Sequence, residues 1–379
     1  MEEQLTMSNV VLFEQTGACG HIRLNSKATL NALSLEMIDL MFPMLLKWQD
    51  DDSVAFVLID GAGDRAFCAG GDIQELYHSM VANPGGPNPY AEGFFSREYR
   101  FDYLLHTYRK PVVVLGHGFV MGGGLGIFSA GSHRVATETT QMAMPEITIG
   151  LFPDAGGTKL LSEMRPHHAA FMAWTGARLN AADGRVANLV DHIVLQDDLA
   201  AVRNALVALV FDGNEVEDSA TKITQAIKRF ALEDEGESQL DRHDHVLKEL
   251  ALVLMEKHWN LGEASEHFAL GLKSVETDEK WLVRAQNSFA AGCMVTAVII
   301  EQQLLRAREM GLAAMFRMEY DIASRCAYHD DFTEGVRALL IDKDNAPRWQ
   351  FSEVSEIPSS YILGHFEPTK PHPLDDLGH

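Results

Sequence analysis

The chain has 379 residues, 46% hydrophobic and 22% charged, the composition of a globular protein long enough for two structural parts. Its formal net charge of −23 excludes the basic face that a nucleic acid or an anionic membrane requires. An anionic small ligand would need local cations or backbone amides.

The N-terminal MEEQLTMSNVVLFEQ is acidic and has neither an apolar core nor an Arg/Ser-rich amphipathic run. The expectation is therefore a cytoplasmic bacterial protein, or one of the mitochondrial matrix from which a transit peptide has been removed. Val10–Phe13 and His21–Leu24 bracket Gln15-Thr16-Gly17 and read as a hairpin. Ser34 stands where it can cap a helix over LEMIDLMFPMLLKWQDD, whose apolar residues recur at helical spacing. Val54–Ile59 is a continuous apolar run, the mark of a strand buried on both faces. A turn at Asp60–Gly63 leads to Ala66–Ile73 (AFCAGGDI) and then a helix. Asn83–Pro89 is rich in Pro and Gly and reads as a loop, followed by a helix over Gly93–Tyr108 and a second buried strand at Val112–Leu115. Short strands are expected at His133–Thr137 and Met142–Met144, with the core closing near Val190–Val194. Strands alternating with helices imply an α/β layered domain over residues 1–195.

From Leu199 the pattern turns helical and more polar. This defines a helical region over 196–355 and a tail over 356–379, disordered from Pro368. Within the helical region, Glu233–His245 (EDEGESQLDRHDH) reads as a solvated acidic linker and Ser288–Met310 as one long helix. His167-His168 has no partner at metal-ligand spacing and reads as a surface pair. The four cysteines, Cys19, Cys68, Cys293 and Cys326, form no CxxC pair. Neither a disulfide framework nor a zinc site is expected, and a reducing compartment is. No run of about 18 apolar residues suggests a membrane span.

Chemistry concentrates in one stretch. Ten of the 30 glycines lie between Gly116 and Gly157, although glycine weakens regular structure. There is no GxxxxGK[ST], no HExxH, no complete GxSxG (Ser129 in GIFSAG is one residue out of register) and no full GxGxxG after a strand. Two glycine clusters do follow buried strands, Ala69-Gly70-Gly71-Asp72 and Gly122-Gly123-Gly124, where unpaired amides open a helix. Either they converge on one oxygen as an oxyanion hole, or they only permit tight helix–sheet packing. Glu146 and Asp154, in MPEITIGLFPD, are carboxylates in apolar surroundings, which either do chemistry or are paired structurally.

At these residues the chain resembles a known superfamily. LNSKATLNALSLEMI, AFCAGGDI, GHGFVMGGGLGI and MPEITIGLFPDAGG are similar to successive signatures of the crotonase (enoyl-CoA hydratase/isomerase) superfamily. FFSREYRFDYLL, GLFPDAGGTKLLSEM and DDFTEGVRALLIDKDNAPRW resemble its 3-hydroxyisobutyryl-CoA hydrolase branch. The resemblance runs from about Val10 to Trp349. It implies a spiral of ββα units followed by a helical region, often assembled into homo-oligomers. It also implies an acyl-CoA substrate with its thioester oxygen between the amides of Gly71 and Gly123, Ala69, Gly70, Gly122 and Asp72 along the substrate path, and Lys27–Leu30 near the nucleotide end. Glu98 would bind the acyl hydroxyl, and no metal or separate cofactor is implied. Hydratases of this superfamily use two glutamates. One is kept as Glu146, but the other position is Gly126, and Asp154 stands where hydratases commonly carry glycine. Losing one carboxylate and gaining another matches the hydrolase branch and counts against hydration, and the resemblance to that branch implies thioester hydrolysis of 3-hydroxyisobutyryl-CoA in valine catabolism. Hydration or isomerisation of an enoyl-CoA, and a non-catalytic structural subunit, are the rivals.

Overall fold

The computed structural model describes residues 9–211, 216–256 and 260–378. The opening hairpin forms as expected, β1 (Val11–Thr16) pairing antiparallel with β2 (Cys19–Leu24). Ser34 caps α1 (Leu35–Asp50), its hydroxyl accepting the Met37 amide at 3.2 Å. Met37, Ile38, Met41, Leu45 and Trp48 recur at helical steps and bury one face of α1. Each such side chain stabilises the fold by roughly 1.5–3 kcal/mol.

Successive strands then enter two sheets in turn. β3 (Phe56–Gly61), β5 (Val112–Leu115), β7 (His133–Thr137) and β9 (His192–Val194) extend the hairpin in the order β1-β2-β3-β5-β7-β9, all parallel after the first pair. β4 (Ala66–Cys68), β6 (Phe119–Met121) and β8 (Gln141–Ala143) form a smaller parallel sheet. Helices α2 (Gln74–Ala82) and α3 (Pro89–His106) follow β4, and α4 (Gly123–Ser129) follows β6. Beyond β8 come a 3-10 turn at Glu146–Ile149, α5 (Gly157–Ser162), α6 (Pro166–Thr175) and α7 (Ala181–Val186). One strand to each sheet and then a helix is the ββα unit whose repetition makes the spiral.

The apolar strand runs are buried on both faces, as their sequence predicts. Phe56, Leu58, Val113 and Leu115 pack on one side with Val202 and Leu206 of α8 (Leu199–Val207) and Ile223 and Ile227 of α9 (Val216–Lys228). Val57, Ile59, Val112 and Val114 face the main core on the other side. So α8 and α9, which follow residue 195, are a layer on the large sheet. The helices beyond are α10 (Gln239–Arg242), α11 (Asp244–Leu250), α12 (Leu252–Met255), α13 (Glu263–Ser274), α14 (Lys280–Ala291), α15 (Met294–Ala307), α16 (Leu312–Cys326), α17 (Asp330–Val336) and α18 (Ser359–His365). Among the described residues no single helix is long and apolar enough to cross a membrane.

Several local expectations are corrected. The helix placed at Gly93 begins at Pro89, because Asn88 caps it by accepting the Ala91 amide at 3.1 Å and proline suits the first turn. Glu233–His245 is not a free linker. Ser238 caps α10, Leu240 is buried, and Asp183 accepts from the Ser238 hydroxyl and the Leu240 amide. The helix expected over Ser288–Met310 is broken: α14 and α15 meet at 108°, where Gly292 packs on Ile147 and the Cys293 amide donates to Ile147 O at 3.0 Å. The tail from Pro368 is packed rather than disordered. Leu374 and Leu377 are buried, and Arg100 holds both Asp376 oxygens at 2.6 and 2.8 Å. His167 and His168 are also buried, on α6, with both Nε2 atoms directed at Asp244 of α11 at 2.8 and 3.2 Å. Lys248 and Arg165 also pair with that carboxylate, and the ligand atoms of His167, His168 and Asp244 lie within 4.8 Å of one another, so the histidines do have a third partner at metal-ligand distance that their spacing in the sequence does not reveal.

Candidate active site

The strands of the small sheet end at Cys68, Met121 and Ala143, and the chain leaving each enters one cavity of ≈ 210 Å³. Ala69, Gly70 and Gly71 come from the first, Gly122 and Gly123 from the second, Pro145 and Glu146 from the third. Phe94, Phe95 and Glu98 share a face of α3 at helical spacing and form another wall, and Asp154 completes the acidic lining. Among the described residues no lysine, arginine or histidine lines this cavity. Asp72 does not line it either. Its side chain accepts the Gln74 amide at 3.3 Å at the start of α2.

Two amides are free to act together. Leu33 N donates to Gly70 O at 2.8 Å and Asp72 N to Leu33 O at 2.9 Å, a parallel bridge that directs the intervening Gly71 N–H away from Leu33. Gly123 is the first residue of α4, where the helix supplies no acceptor. Neither N–H has an acceptor among the described residues. A methyl group on Gly123 would lie 3.8 Å from Gly71 N and 2.9 Å from Glu98 Oε1, so both amides and Glu98 adjoin one small volume. Gly122, with φ of 48°, takes a turn that L-residues avoid, and a methyl there would reach Glu146 Oε1 at 2.9 Å.

The carboxyl groups are buried together. Burial, then the neighbouring Asp154 charge, holds Glu146 well above the ordinary carboxylate range, and its Oε2 has no hydrogen-bond partner among the described residues. Burial pushes Asp154 up to about 6, against the Tyr99 hydroxyl that donates to its Oδ2 at 2.6 Å. Glu98 is raised by burial and then by Asp154 and Glu319, and Asp102, one turn further along α3, by burial and then by Glu98. Buried so close together, these groups cannot all ionise at once, so the native site retains protons near neutrality. The sign for activity follows: a carboxylate needed in ionised form is lost as pH falls through its raised pKa. The acid limb of kcat/KM should therefore be centred near pH 6 or above, and not near pH 4 where a solvated carboxylate titrates. A rate profile over about pH 5 to 8 measures it, and a limb near pH 4 contradicts this reading.

Sequence reasoning missed the walls supplied from far along the chain. Leu339 and Leu340, just after α17, line the cavity. Gly335 of α17 packs on the turn that carries Glu146, where an added Cβ would come 2.4 Å from Ile149 C, and Gly150 of the same segment meets Asp331 O at 2.6 Å. Gly335→Ala should thus cost about 1–3 kcal/mol of stability by overpacking, read from urea denaturation, with wild-type stability as the contrary result. The EGVRALL segment could have suggested a glycine contact, but not its partner.

Gly126 packs closely against the turn that follows Asp154. An added Cβ there would meet Ala155 O at 2.3 Å, so the Asp154–Ala155 turn occupies the space a second glutamate would need. A family profile described as "Enoyl-CoA hydratase/isomerase" matches residues 19–366. The chain belongs to the enoyl-CoA hydratase/isomerase family. Within this family, the mitochondrial 3-hydroxyisobutyryl-CoA hydrolase of Danio rerio is 33% identical over 353 residues, 93% of this chain and 88% of its own. The Homo sapiens protein of that name is 33% identical over 368 residues, 97% and 91% of the two chains. Among solved structures, a carnitinyl-CoA dehydratase from Mycobacterium thermoresistibile matches with TM-score 0.84 at 30% identity, covering 98% of this chain and 100% of its own. An enoyl-CoA hydratase from Rhodobacter sphaeroides 2.4.1 matches with TM-score 0.81 at 29% identity, covering 96% and 98%. These matches establish the crotonase fold with its C-terminal helical region.

Proposed function

We propose that the protein hydrolyses an acyl-CoA thioester, with 3-hydroxyisobutyryl-CoA as the preferred substrate. The observation that carries the reading is the exchange of carboxylates: Glu146 and Asp154 share the cavity with two free amides, while Ala155 O fills the space beside Gly126. The hydrolase names of the relatives at 33% identity support it. The mitochondrial location in those names supports the matrix alternative for this chain.

In this scheme the thioester oxygen lies between Gly71 N and Gly123 N. A Glu146 oxygen adds to the carbonyl carbon, or takes a proton from a water that does. The two amides stabilise the oxyanion, the C–S bond breaks, and CoA leaves as thiolate. In the covalent route water then cleaves the resulting anhydride, with Asp154 orienting that water and Tyr99 fixing Asp154. Glu98 accepts the hydrogen bond of the acyl hydroxyl. Oxygen-18 from labelled water appearing in Glu146 after a single turnover would establish the covalent route.

The deciding assay follows thiol release from 3-hydroxyisobutyryl-CoA and, in parallel, loss of the conjugated absorbance of crotonyl-CoA. Thiol release without hydration supports the proposal. Hydration without thiol release supports the rival suggested by the names of the two solved neighbours. Neither activity would favour a non-catalytic role.

A further inference from the structure

Asp154 sits on a turn with an unusual backbone. Ala155 has φ of 52° and Gly156 of 83°, so two successive residues take the left-handed conformation just after the carboxylate. Local bonding does little to hold this turn, where only Gly157 N to Asp154 O, at 2.8 Å, closes on itself. Tyr99 of α3 holds the carboxylate itself, and the backbone of the turn is anchored by helices far along the chain. Glu319 of α16 accepts the Gly156 amide on Oε2 at 2.9 Å and the Thr158 amide on Oε1 at 2.7 Å. Gln303 of α15 donates from Nε2 to Pro153 O at 2.6 Å and to Thr158 Oγ1 at 2.8 Å. Both side chains are fully buried.

We propose that Glu319, assisted by Gln303, is a positioning residue that sets the Asp154 carboxylate for hydrolysis, and that this is a task of the C-terminal helices in the reaction. The proposal rests on the hydrolase reading above. Glu319 does not line the cavity, so it acts through the turn and not on substrate. An ionised carboxylate can accept two amides at once, whereas a carboxamide of the same shape has one acceptor and turns its NH2 toward the other amide. Burial pushes Glu319 up to about 7, against its hydrogen bonds from Thr158 and Gly156. The other groups that face it are Asp154 on its own turn, Glu98, Tyr99 and Asp102 from α3, and His106 at the end of α3 beside Gly156.

The test is a double-mutant cycle of Glu319→Gln with Asp154→Asn, using thiol release from 3-hydroxyisobutyryl-CoA. In the wild-type background Glu319→Gln should lower kcat by about 10- to 100-fold, the effect of a small misplacement of a reacting group, and leave KM within about twofold. In the Asp154→Asn background the same change should cost less than about twofold, because the group it positions is already gone. A purely structural role would give an equal loss in both backgrounds, and that result overturns the proposal, as does an unchanged kcat in the single variant. Should Glu319→Gln fail to fold, Gln303→Met in the same cycle carries the test, with a smaller loss that also vanishes beside Asp154→Asn. Exchange of the Gly156 and Thr158 amides, read by NMR, is independent of activity and should accelerate at least about tenfold in Glu319→Gln. If the wild type releases no thiol, the hydrolase reading fails. Unaltered exchange defeats the clamp itself.

Discussion

Glu146→Gln should lower kcat for thiol release by about 10³-fold or more, the range for removing a nucleophile or general base, while the dissociation constant for acyl-CoA changes little. The substitution keeps the size of the side chain in the 3-10 turn after β8 but removes its capacity to ionise. Glu146 lies beside Gly122, whose absent Cβ leaves its Oε1 unobstructed. Its Oε2 has no hydrogen-bond partner among the described residues and, in the proposed scheme, would serve the reacting carbon or a water. A structural role would show instead as lost stability with near-normal kcat in the folded fraction. Stopped-flow thiol release, paired with a binding titration, separates the two outcomes.

Gly123→Ala should cost about 10²- to 10³-fold in kcat, comparable with losing one oxyanion donor. The added methyl would lie 2.9 Å from Glu98 Oε1 and 3.8 Å from Gly71 N, in the volume assigned to the thioester oxygen. Glu98 is buried and shares the cavity wall with Phe94 and Phe95, so the methyl would displace a carboxyl group of the site itself. Affinity for CoA lacking an acyl group should be unchanged, because only the acyl end is obstructed. A variant with wild-type kcat would show that the amides do not form the oxyanion hole.

What the sequence reveals of this protein depends on the range of the interaction. Runs such as VAFVLI identify buried strands because every residue in them faces one of two apolar layers, a property visible in the string itself. The start of α3 is legible in the same way, since Asn88 and Pro89 are a cap and a first-turn proline, although they close a Pro/Gly-rich segment that otherwise reads as loop. The break between α14 and α15 carries only Gly292 as a mark, and its cause is contact with Ile147, more than 100 positions earlier.

The candidate site divides in the same way. Eight of the nine expected residues line the cavity, all but Asp72, which shares the AFCAGGDI motif while its side chain serves α2. Tyr99 stands beside Glu98 in the string, yet its bond to Asp154 spans 55 positions. Glu319 reaches Gly156 across 163 positions, and no local pattern encodes that pairing.

The cationless lining of the cavity has a consequence for turnover. In the proposed scheme a thioester would be uncharged where it meets Glu98, Glu146 and Asp154, and would enter without repulsion. The free acid that hydrolysis would leave behind is an anion among carboxyl groups with, among the described residues, no lysine, arginine or histidine to hold it. Like charges at such short range in a buried site disfavour its retention. Chemistry at the carbonyl would thus convert a tolerated guest into a rejected one, and the acid should be a poor competitor for the next molecule of substrate.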